Sequence, residues 1–496
     1  VKAVETVESD GVSSCCVLRD RFGHGSSAGN TQFSSSVQEQ PEMAKVILAG
    51  GPSFALFNPS LHVSLGLLYL GAALRRAGHD VKIVDCHKYC SVSESTGKLV
   101  VQKDKLEPCD VLGISCVTPN AEFGGQLAEA WPAKVKVAGG PHVTYIMEGP
   151  HAKFKHRNFF RGFDYLMSGE CEETFVQFCD YFSKGMLSMP IPGLGRFRKD
   201  GTVDWTPSGA LPDVTKMPLP AYDLWEGNYS KGALAVQSVS GKSVDAAERM
   251  TGSLFTARGC PYGCFFCADA RTKMREESLD QIEAEVKALA ELGVTALRVW
   301  DDTITIKEKR CKEMADIFHN YGMLWRGWSR VNLMNQGLFK YLADRGCTEM
   351  GFGVEHGSAR MLKAMNKGTT PEANEKGIKI CQDSGIVARA YLLIGFPGET
   401  WESIEEMRLW LDSARPDAAS LHMFQPYPGS QVWGTPERFE ITLPENAFSQ
   451  MWELNDDDPK TLVLDLPTMT KTELFQARTE LHEWIVDNIS LRLANR

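Results

Sequence analysis

The stretch RGCPYGCFFCAD, residues 258–269, carries cysteines at positions 260, 264 and 267. Its reading decides the fold of the second half of the chain. A closed tetrahedral zinc site takes four protein ligands, and no histidine or fourth cysteine follows closely enough to complete one. On residue types alone two readings stay open. One is a zinc knuckle whose fourth ligand arrives from a distant part of the chain. The other is an iron–sulfur cluster held by three thiolates, with the fourth position left open. Gly259, Pro261 and Gly263 permit a tight wrap, and Phe265 and Phe266 can shield the centre from water. Cys311, Cys347 and Cys381 each stand alone in a helix-like or strand-like context and form no second C-x-x-C pair.

Beyond the loop, apolar strands alternate with amphipathic helices. The strand GSLFTA leads into the cysteines; then come the helix ESLDQIEAEVKALAELG, the strand ALRVWDD, the helix KEKRCKEMADIFHNYG and the strand LWRGWSRV. The alternation continues to AASLHMFQPYPGS, giving six strand–helix units from Leu254 onward. This predicts a partial (β/α)6 barrel over residues 247–435, with its chemistry at the carboxyl ends of the strands. Residues 436–496 read as a small, mainly helical region closing the barrel mouth, with a Thr470–Glu473 capping box opening its long helix. The acidic run NDDDP reads as a solvated turn.

Toward the N-terminus the alternation recurs. KVILAG, HDVKIVD, DVLGISCV, AKVKVAGGPH and DYLMSGECEE read as strands. SLGLLYLGAALRRAG, AEFGGQLAEAW and a segment within 147–160 read as the helices between them. Continuous apolar strands separated by helices indicate an α/β, doubly wound (Rossmann-like) parallel sheet over residues 43–185. Ligands of such sheets lie outside the strand carboxyl ends. Small and polar residues collect there: Ser53 after the first strand, Ser115 in the third, Gly139, Gly140 and His142 after the fourth, Gly169 and Glu170 after the fifth. Any one of these glycines reads as a tight turn, but four strand ends together predict a ligand site. The absence of a G-x-G-x-x-G fingerprint disfavours a dinucleotide. DCHKYC, with Cys86, His87 and Cys90, reads as structural. Residues 186–246 lose periodicity and read as a connector holding one hairpin, RFRKDGTVDW, with Asp-Gly at its turn.

A net charge of −10 argues against a nucleic-acid backbone as partner. Fourteen cysteines in 496 residues are too dilute for a disulfide framework, and the longest apolar run is far below the ~20 residues of a membrane span. A reducing cytoplasm is the expected compartment. Residues 1–42 differ in composition and contain no methionine; translation is expected to start at Met43, with the preceding stretch disordered or foreign to the native protein.

C-x-x-x-C-x-x-C with an aromatic before the last cysteine resembles the signature of the radical S-adenosylmethionine (SAM) superfamily. VWDDTIT, WSRVN, GFGVEHGS, LIGFPGET and FQPYPGS resemble the matching strands of its cobalamin-dependent branch, and SLGLLYLGAALRRAGHDVKIVD, VAGGPHVT and YLMSGECEETF resemble that branch's cobalamin-binding domain. The resemblance implies that Cys260, Cys264 and Cys267 bind a 4Fe-4S cluster. It further implies that the Phe266 backbone lies against adenine, Asp301 or Asp302 and Arg330 meet the methionine amino and carboxylate groups, and Glu355 meets the ribose hydroxyls. The turn at Gly395 shapes the adenine pocket. Asp301 and Asp302 are adjacent in a strand, so at most one faces the pocket. Many cobalamin domains supply a histidine to cobalt after the first strand; the loop GGPSFALFNPS offers none. The implied activity is methyl transfer to an unactivated carbon of a small molecule through a 5′-deoxyadenosyl radical and methylcobalamin. A flavodoxin- or ferredoxin-type protein would supply the electron. The alternatives are a cyclase or ring-modifying enzyme of the same family, and a non-catalytic cobalamin or iron–sulfur sensor, which would have no need of the SAM-pocket strands.

Overall fold

Two sheets, one parallel and one mostly parallel, each wrapped by helices, bring the carboxyl ends of their parallel strands to a shared cavity. The computed structural model describes residues 43–52, 64–93, 98–150, 152–226, 249–445, 447, 451 and 464–489. Ser53, residues 1–42, much of the connector and the NDDDP turn lie outside them. The elements below belong to one compact unit, Pro41–Arg496.

The first sheet contains β1 (Lys45–Gly50), β2 (Asp80–Val84), β5 (Cys109–Ser115), β6 (Ala133–Gly139) and β7 (Tyr165–Met167), all parallel, with β2 and β5 flanking β1. Counting only these strands the order is 2-1-3-4-5, with the chain reversing direction of travel at the β1/β5 crevice, the point where such sheets bind ligands. β1 is buried along its centre because helices cover both sheet faces. Those helices are α1 (Leu65–Arg76), α2 (Ala121–Ala130), α3 (Pro141–Glu148) and α4 (Glu172–Ser183). A small hairpin, β3 (Cys90–Val92) with β4 (Leu99–Val101), follows β2.

Two segments differ from the sequence reading. The crossover helix expected within 147–160 lies earlier, at α3, because Pro141 opens a helix well at its first position and Gly149–Pro150 ends it. Single 3₁₀ turns occupy 152–154 and 157–159. The Asp-Gly hairpin, β8 (Leu194–Phe197) and β9 (Val203–Trp205), pairs antiparallel to β7 and extends the first sheet.

The second sheet is six parallel strands in sequence order: β10 (Thr251–Leu254), β13 (Ala296–Val299), β14 (Leu324–Ser329), β15 (Cys347–Glu355), β16 (Val387–Ile394) and β17 (Ala418–Met423). A two-residue ladder, β11 (Ala257–Arg258) with β12 (Arg275–Glu276), brackets the cysteine loop. Around this open barrel run α5 (Leu279–Glu291), α6 (Glu308–Asn320), α7 (Gln336–Ala343), α8 (Ala359–Ala364), α9 (Pro371–Asp383) and α10 (Trp401–Ala414). Four of these six starts share one chemistry: Ser278, Asn335, Thr370 and Thr400 each accept a backbone N–H of the first turn. Their inward faces repeat at helical spacing, as in α9, where Asn374, Gly377, Ile378 and Cys381 are buried. α11 (Gln431–Gly434) and α12 (Lys471–Asn488) complete the chain, with the Thr470–Glu473 capping box present on α12. Leu474 of α12 reaches the Gly395 turn.

Candidate active site

The cysteine loop is pinned at both flanks. Cys260 N donates to Thr272 Oγ1 at 2.8 Å, Arg271 N to Tyr262 O at 2.7 Å, and Asn366 Nδ2 to Gly263 O at 2.6 Å. Phe265 links two distant elements, donating to Met365 O at 3.0 Å and accepting from Val432 N at 3.3 Å. Cys264 is buried and Cys260 and Cys267 are half-buried, all as free thiols. Burial pushes the Cys267 thiol up to about 12 and raises Cys260, so thiolates here require a cationic partner. Three thiols on one loop, with no fourth cysteine or histidine close behind, leave one ligand position open, a donor set that fits an iron–sulfur cube with one free iron better than a closed zinc site.

Residues at the barrel-strand ends divide into two kinds. Arg330 is buried, stacks over the Tyr262 ring at 4.0 Å, and points Nη1 at Cys264 Sγ from 3.4 Å. Its Nη2 donates to Lys367 O, while its Nε is buried without a partner, a donor suited to a carboxylate beside the cluster. Glu355 ends β15 at φ 65°, a conformation strained for a side-chain-bearing residue, just past a break in register. Its Oε1 takes a 2.6 Å bond from Lys367 Nζ. A Cβ on Gly353 would sit 2.6 Å from that ammonium, so glycine makes room for the ion pair. Gly395 N donates to Glu399 Oε2 at 3.0 Å, and the Phe266 ring faces Lys367 at 5.8 Å.

The adjacent acids part company. Asp301 is buried and accepts from Thr256 N at 2.6 Å, Ala257 N at 3.1 Å and the Thr256 hydroxyl. Its carboxylate clamps the segment entering the cysteine loop. Asp302 opens instead into a cavity, where burial first and Asp269 second push its carboxyl up to about 6.

That cavity, about 840 Å³, lies between the strand ends of the first sheet and the cysteine loop. Ser115, Gly139, Gly140, Gly169 and Glu170 line it from one side; Gly259, Trp300 and Asp302 line it from the other. A side chain on Gly140, at φ 89°, would lie 2.6 Å from Ser115 Oγ and 2.8 Å from Cys116 O, so only glycine gives this floor. Mostly apolar walls, a backbone floor and a polar rim fit a large flat ligand such as a corrinoid. His142 does not line the cavity. It is buried behind the floor, 3.1 Å from Thr118 Oγ1 and against Phe160, and burial pushes its imidazole down to about 3. No histidine occurs among the described lining residues.

The joint between the two halves was invisible in the sequence. Arg258, two residues before Cys260, pairs with Glu170 at 2.5 Å and Glu172 at 2.9 Å and lies over the Tyr69 ring at 4.8 Å. Arg275 adds a second bond to Glu170 at 3.1 Å. Behind them Tyr69 Oη donates to Glu277 at 2.8 Å and lies 3.2 Å from Glu285. Burial raises both carboxyls well above the usual range, and their mutual repulsion adds to it in Glu285. Tyr145 of α3 also crosses the joint, donating to Asp269.

This arrangement matches two family descriptions: the B12 binding domain over residues 59–178 and the Radical SAM superfamily over residues 254–411. The chain belongs to the cobalamin-dependent radical SAM enzymes of the methyltransferase kind, and its cofactors are a 4Fe-4S cluster, SAM and cobalamin. It is 30% identical to the uncharacterized methyltransferase PH0819 of Pyrococcus horikoshii over 379 residues, 74% of this chain and 77% of that one. Cytidylyl-2-hydroxyethylphosphonate methyltransferase of Streptomyces wedmorensis is 26% identical over 465 residues, 82% of this chain and 84% of that one. In fold the chain resembles the methyltransferase TsrM of Kitasatospora setae, solved with cobalamin and a 4Fe-4S cluster: TM-score 0.57 and 17% identity, over 78% of this chain and 74% of that one.

Proposed function

We propose that this enzyme methylates an unactivated carbon of a small-molecule substrate. The observation that carries the reading is the single cavity wall shared by both halves. Trp300 and Asp302, from the end of a barrel strand, and Gly259, beside Cys260, border the same space as the glycine floor of the first sheet. When bound, the cluster with SAM supplies a 5′-deoxyadenosyl radical, and the cobalamin supplies a transferable methyl group.

The chain's own part is to bind, orient and exclude water. Cys260, Cys264 and Cys267 hold the cluster; Arg330, through its spare Nε, takes the SAM carboxylate; Glu355, fixed by Lys367, takes the ribose hydroxyls; the Phe266 backbone and the Gly395 turn bound the adenine. Ser115, Gly139, Gly140 and Gly169 let the corrinoid lie close on the strand ends, and the Arg258–Glu170 and Arg275–Glu170 pairs lock that face onto the cysteine loop. The division of labour follows the sheets: cobalamin over residues 43–185, SAM and cluster over 247–435, with 436–496 closing the barrel mouth. A small-molecule substrate is supported by the relatives, since TsrM was solved with tryptophan as substrate. Twelve described cysteines, all free, suit a reducing cytoplasm, where a flavodoxin- or ferredoxin-type donor is at hand. No helix among the described residues is long and apolar enough to cross a membrane.

The test is anaerobic incubation of the reconstituted, cobalamin-loaded enzyme with SAM and dithionite. Release of 5′-deoxyadenosine is expected, with S-adenosylhomocysteine and a methylated product once a substrate is supplied. Deoxyadenosine and a ring-closed product without S-adenosylhomocysteine would replace methyl transfer by the cyclase reading. No deoxyadenosine at all would refute radical chemistry.

A further inference from the structure

A group of metal-ligating side chains gathers at the edge of the first sheet, away from the cavity. Among the described residues, Asp85, Cys86 and His87 are the one set of three or more such side chains whose donor atoms all lie within 4.8 Å of one another. They follow β2 directly, on a single 3₁₀ turn, Cys86–Lys88, that Asp85 caps by accepting His87 N at 3.2 Å. His87 Nδ1 lies 3.0 Å from Asp85 Oδ1 and 3.9 Å from Cys86 Sγ. A fourth donor stands beside them. Cys90 opens β3, its thiol donates to Cys86 O at 3.0 Å, and it also interacts with the Cys86 thiol. Asp85, Cys86 and Cys90 are buried, and the His87 side chain is mostly so.

Donor types and spacing suit zinc. Tetrahedral zinc binds thiolate sulfur, imidazole nitrogen and carboxylate oxygen at about 2.0–2.3 Å, so its ligand atoms stand roughly 3.3–3.8 Å from one another. The separations of 3.0 and 3.9 Å bracket that range, and small side-chain adjustments seat an ion among them. Two sulfurs disfavour magnesium and calcium, which take oxygen ligands. The ion would take over the Asp85–His87 hydrogen bond, with the imidazole bound as its neutral form through Nδ1. Both thiols would bind as thiolates, releasing two protons to water.

The surroundings say what such an ion would do. None of the four residues lines the cavity, so the site has no part in holding cobalamin or substrate. It stands instead where three short pieces of chain meet. Tyr89 Oη donates to Glu226 Oε1 at 2.6 Å and Lys88 Nζ to Glu226 O at 2.7 Å, while Trp225 bridges to Ile83 of β2. Gln102 N donates to Tyr89 O at 2.8 Å, which ties the far end of the β3–β4 hairpin to the same turn. A hairpin of two three-residue strands is marginal by itself. A metal crosslink between its first residue and the end of β2 would supply what so little apolar surface cannot.

We propose that Asp85, Cys86, His87 and Cys90 bind one zinc ion, a structural site that fastens the β3–β4 hairpin and the end of the connector to the edge of the first sheet. The structural part that DCHKYC plays is then a metal's, distinct from the iron held by Cys260, Cys264 and Cys267.

The experiment uses the full chain carrying its cluster and cobalamin, produced with zinc sulfate in the medium and freed of loose metal by gel filtration. Elemental analysis should find about one zinc per chain beside the iron and cobalt. X-ray absorption at the zinc edge, which iron and cobalt leave clear, should show two sulfurs near ~2.3 Å and two nitrogen or oxygen ligands near ~2.0–2.1 Å. Cys86→Ser should lose the zinc and keep the iron and the corrinoid. Cys264→Ala should do the reverse, losing the iron and keeping the zinc. No zinc in the wild type, a shell of oxygens alone, or a Cys86–Cys90 disulfide in the purified chain would overturn the proposal. So would zinc that leaves with Cys264→Ala and stays in Cys86→Ser, since it would then belong to the cysteine loop. Should Cys86→Ser not fold, the wild-type absorption spectrum decides alone: two sulfurs support the site, and three assign the zinc to the cysteine loop.

Discussion

Asp301 offers the sharpest test of how the site is built, because its neighbour Asp302 provides an internal control. Replacing Asp301 by alanine removes three hydrogen bonds to one carboxylate, from Thr256 N, Ala257 N and the Thr256 hydroxyl. It also relieves the burial of a charge, which raises this carboxyl above its ordinary value. What remains is two buried backbone N–H groups without an acceptor, each costing ~1–3 kcal/mol, so the net loss should be about 3 kcal/mol. Asparagine behaves differently. Both backbone N–H groups bond to the same oxygen, Oδ1, which an amide retains. Only the Thr256 hydroxyl must turn to accept rather than donate, a cost near ~1 kcal/mol. Thermal unfolding of the apo protein should place Asp301→Ala roughly 6–12 °C below wild type, with Asp301→Asn about a third of that. Iron retained after anaerobic reconstitution should fall in the same order, since the clamped segment leads directly into Cys260. Asp302→Ala should not lower the apo melting temperature and at neutral pH should raise it, because burial and Asp269 hold this carboxyl above its ordinary value, a cost that alanine removes. Equal losses in Asp301→Ala and Asp301→Asn would refute the clamp. So would normal stability in Asp301→Ala combined with loss of SAM binding, which would return Asp301 to the SAM pocket.

Cys264→Ala should reduce reconstituted iron from about four per chain to nearly none, and zinc bound in the wild type in place of that iron would instead revive the knuckle reading. Gly140→Val should abolish corrinoid retention on gel filtration and destabilise the first sheet by ~2–4 kcal/mol, from a left-handed backbone and a 2.6 Å clash with Ser115; undiminished corrinoid absorbance would count against the glycine floor. Burial raises Glu277 and Glu285 in the folded state, so that state binds more protons than the unfolded chain. Their stabilisation is complete below the unfolded carboxyl value and is lost as pH rises through the raised folded values. Glu285→Gln should therefore gain stability over wild type on going from pH 5 to pH 8.5, by roughly 1–3 kcal/mol; a difference independent of pH would remove the pair's assigned protonation.

The candidate site was legible wherever function constrains short segments. Cysteine spacing and glycines at strand ends follow from local chemistry, whereas Arg330 came only through the family resemblance of WSRVN. The glycine at 140 read as a candidate ligand contact because small and polar residues at three other strand ends pointed the same way, and it lines the cavity. His142 misled for the same reason in reverse: it lies only two residues past that glycine, but the start of α3 turns it behind the floor to Thr118. The helix drawn within 147–160 slipped because apolar content there could be helix or packed 3₁₀ turns, and Pro141 was the better start signal.

Sequence alone determined the two alternating halves, the order of strands in the barrel, and the three thiols, because each is written in periodicity or in spacing along one segment. Only the tertiary structure decided how the halves meet. Arg258 pairs with residues about ninety positions away, Tyr69 with an acid more than two hundred away, and no local pattern encodes such partners. It likewise decided which of two adjacent aspartates faces the cavity, and it gathered Arg326, Glu349 and Arg389 from three strands into contact. Side-chain direction along a strand is set by a period of two, but which face becomes a lumen depends on the sheet curling closed around it.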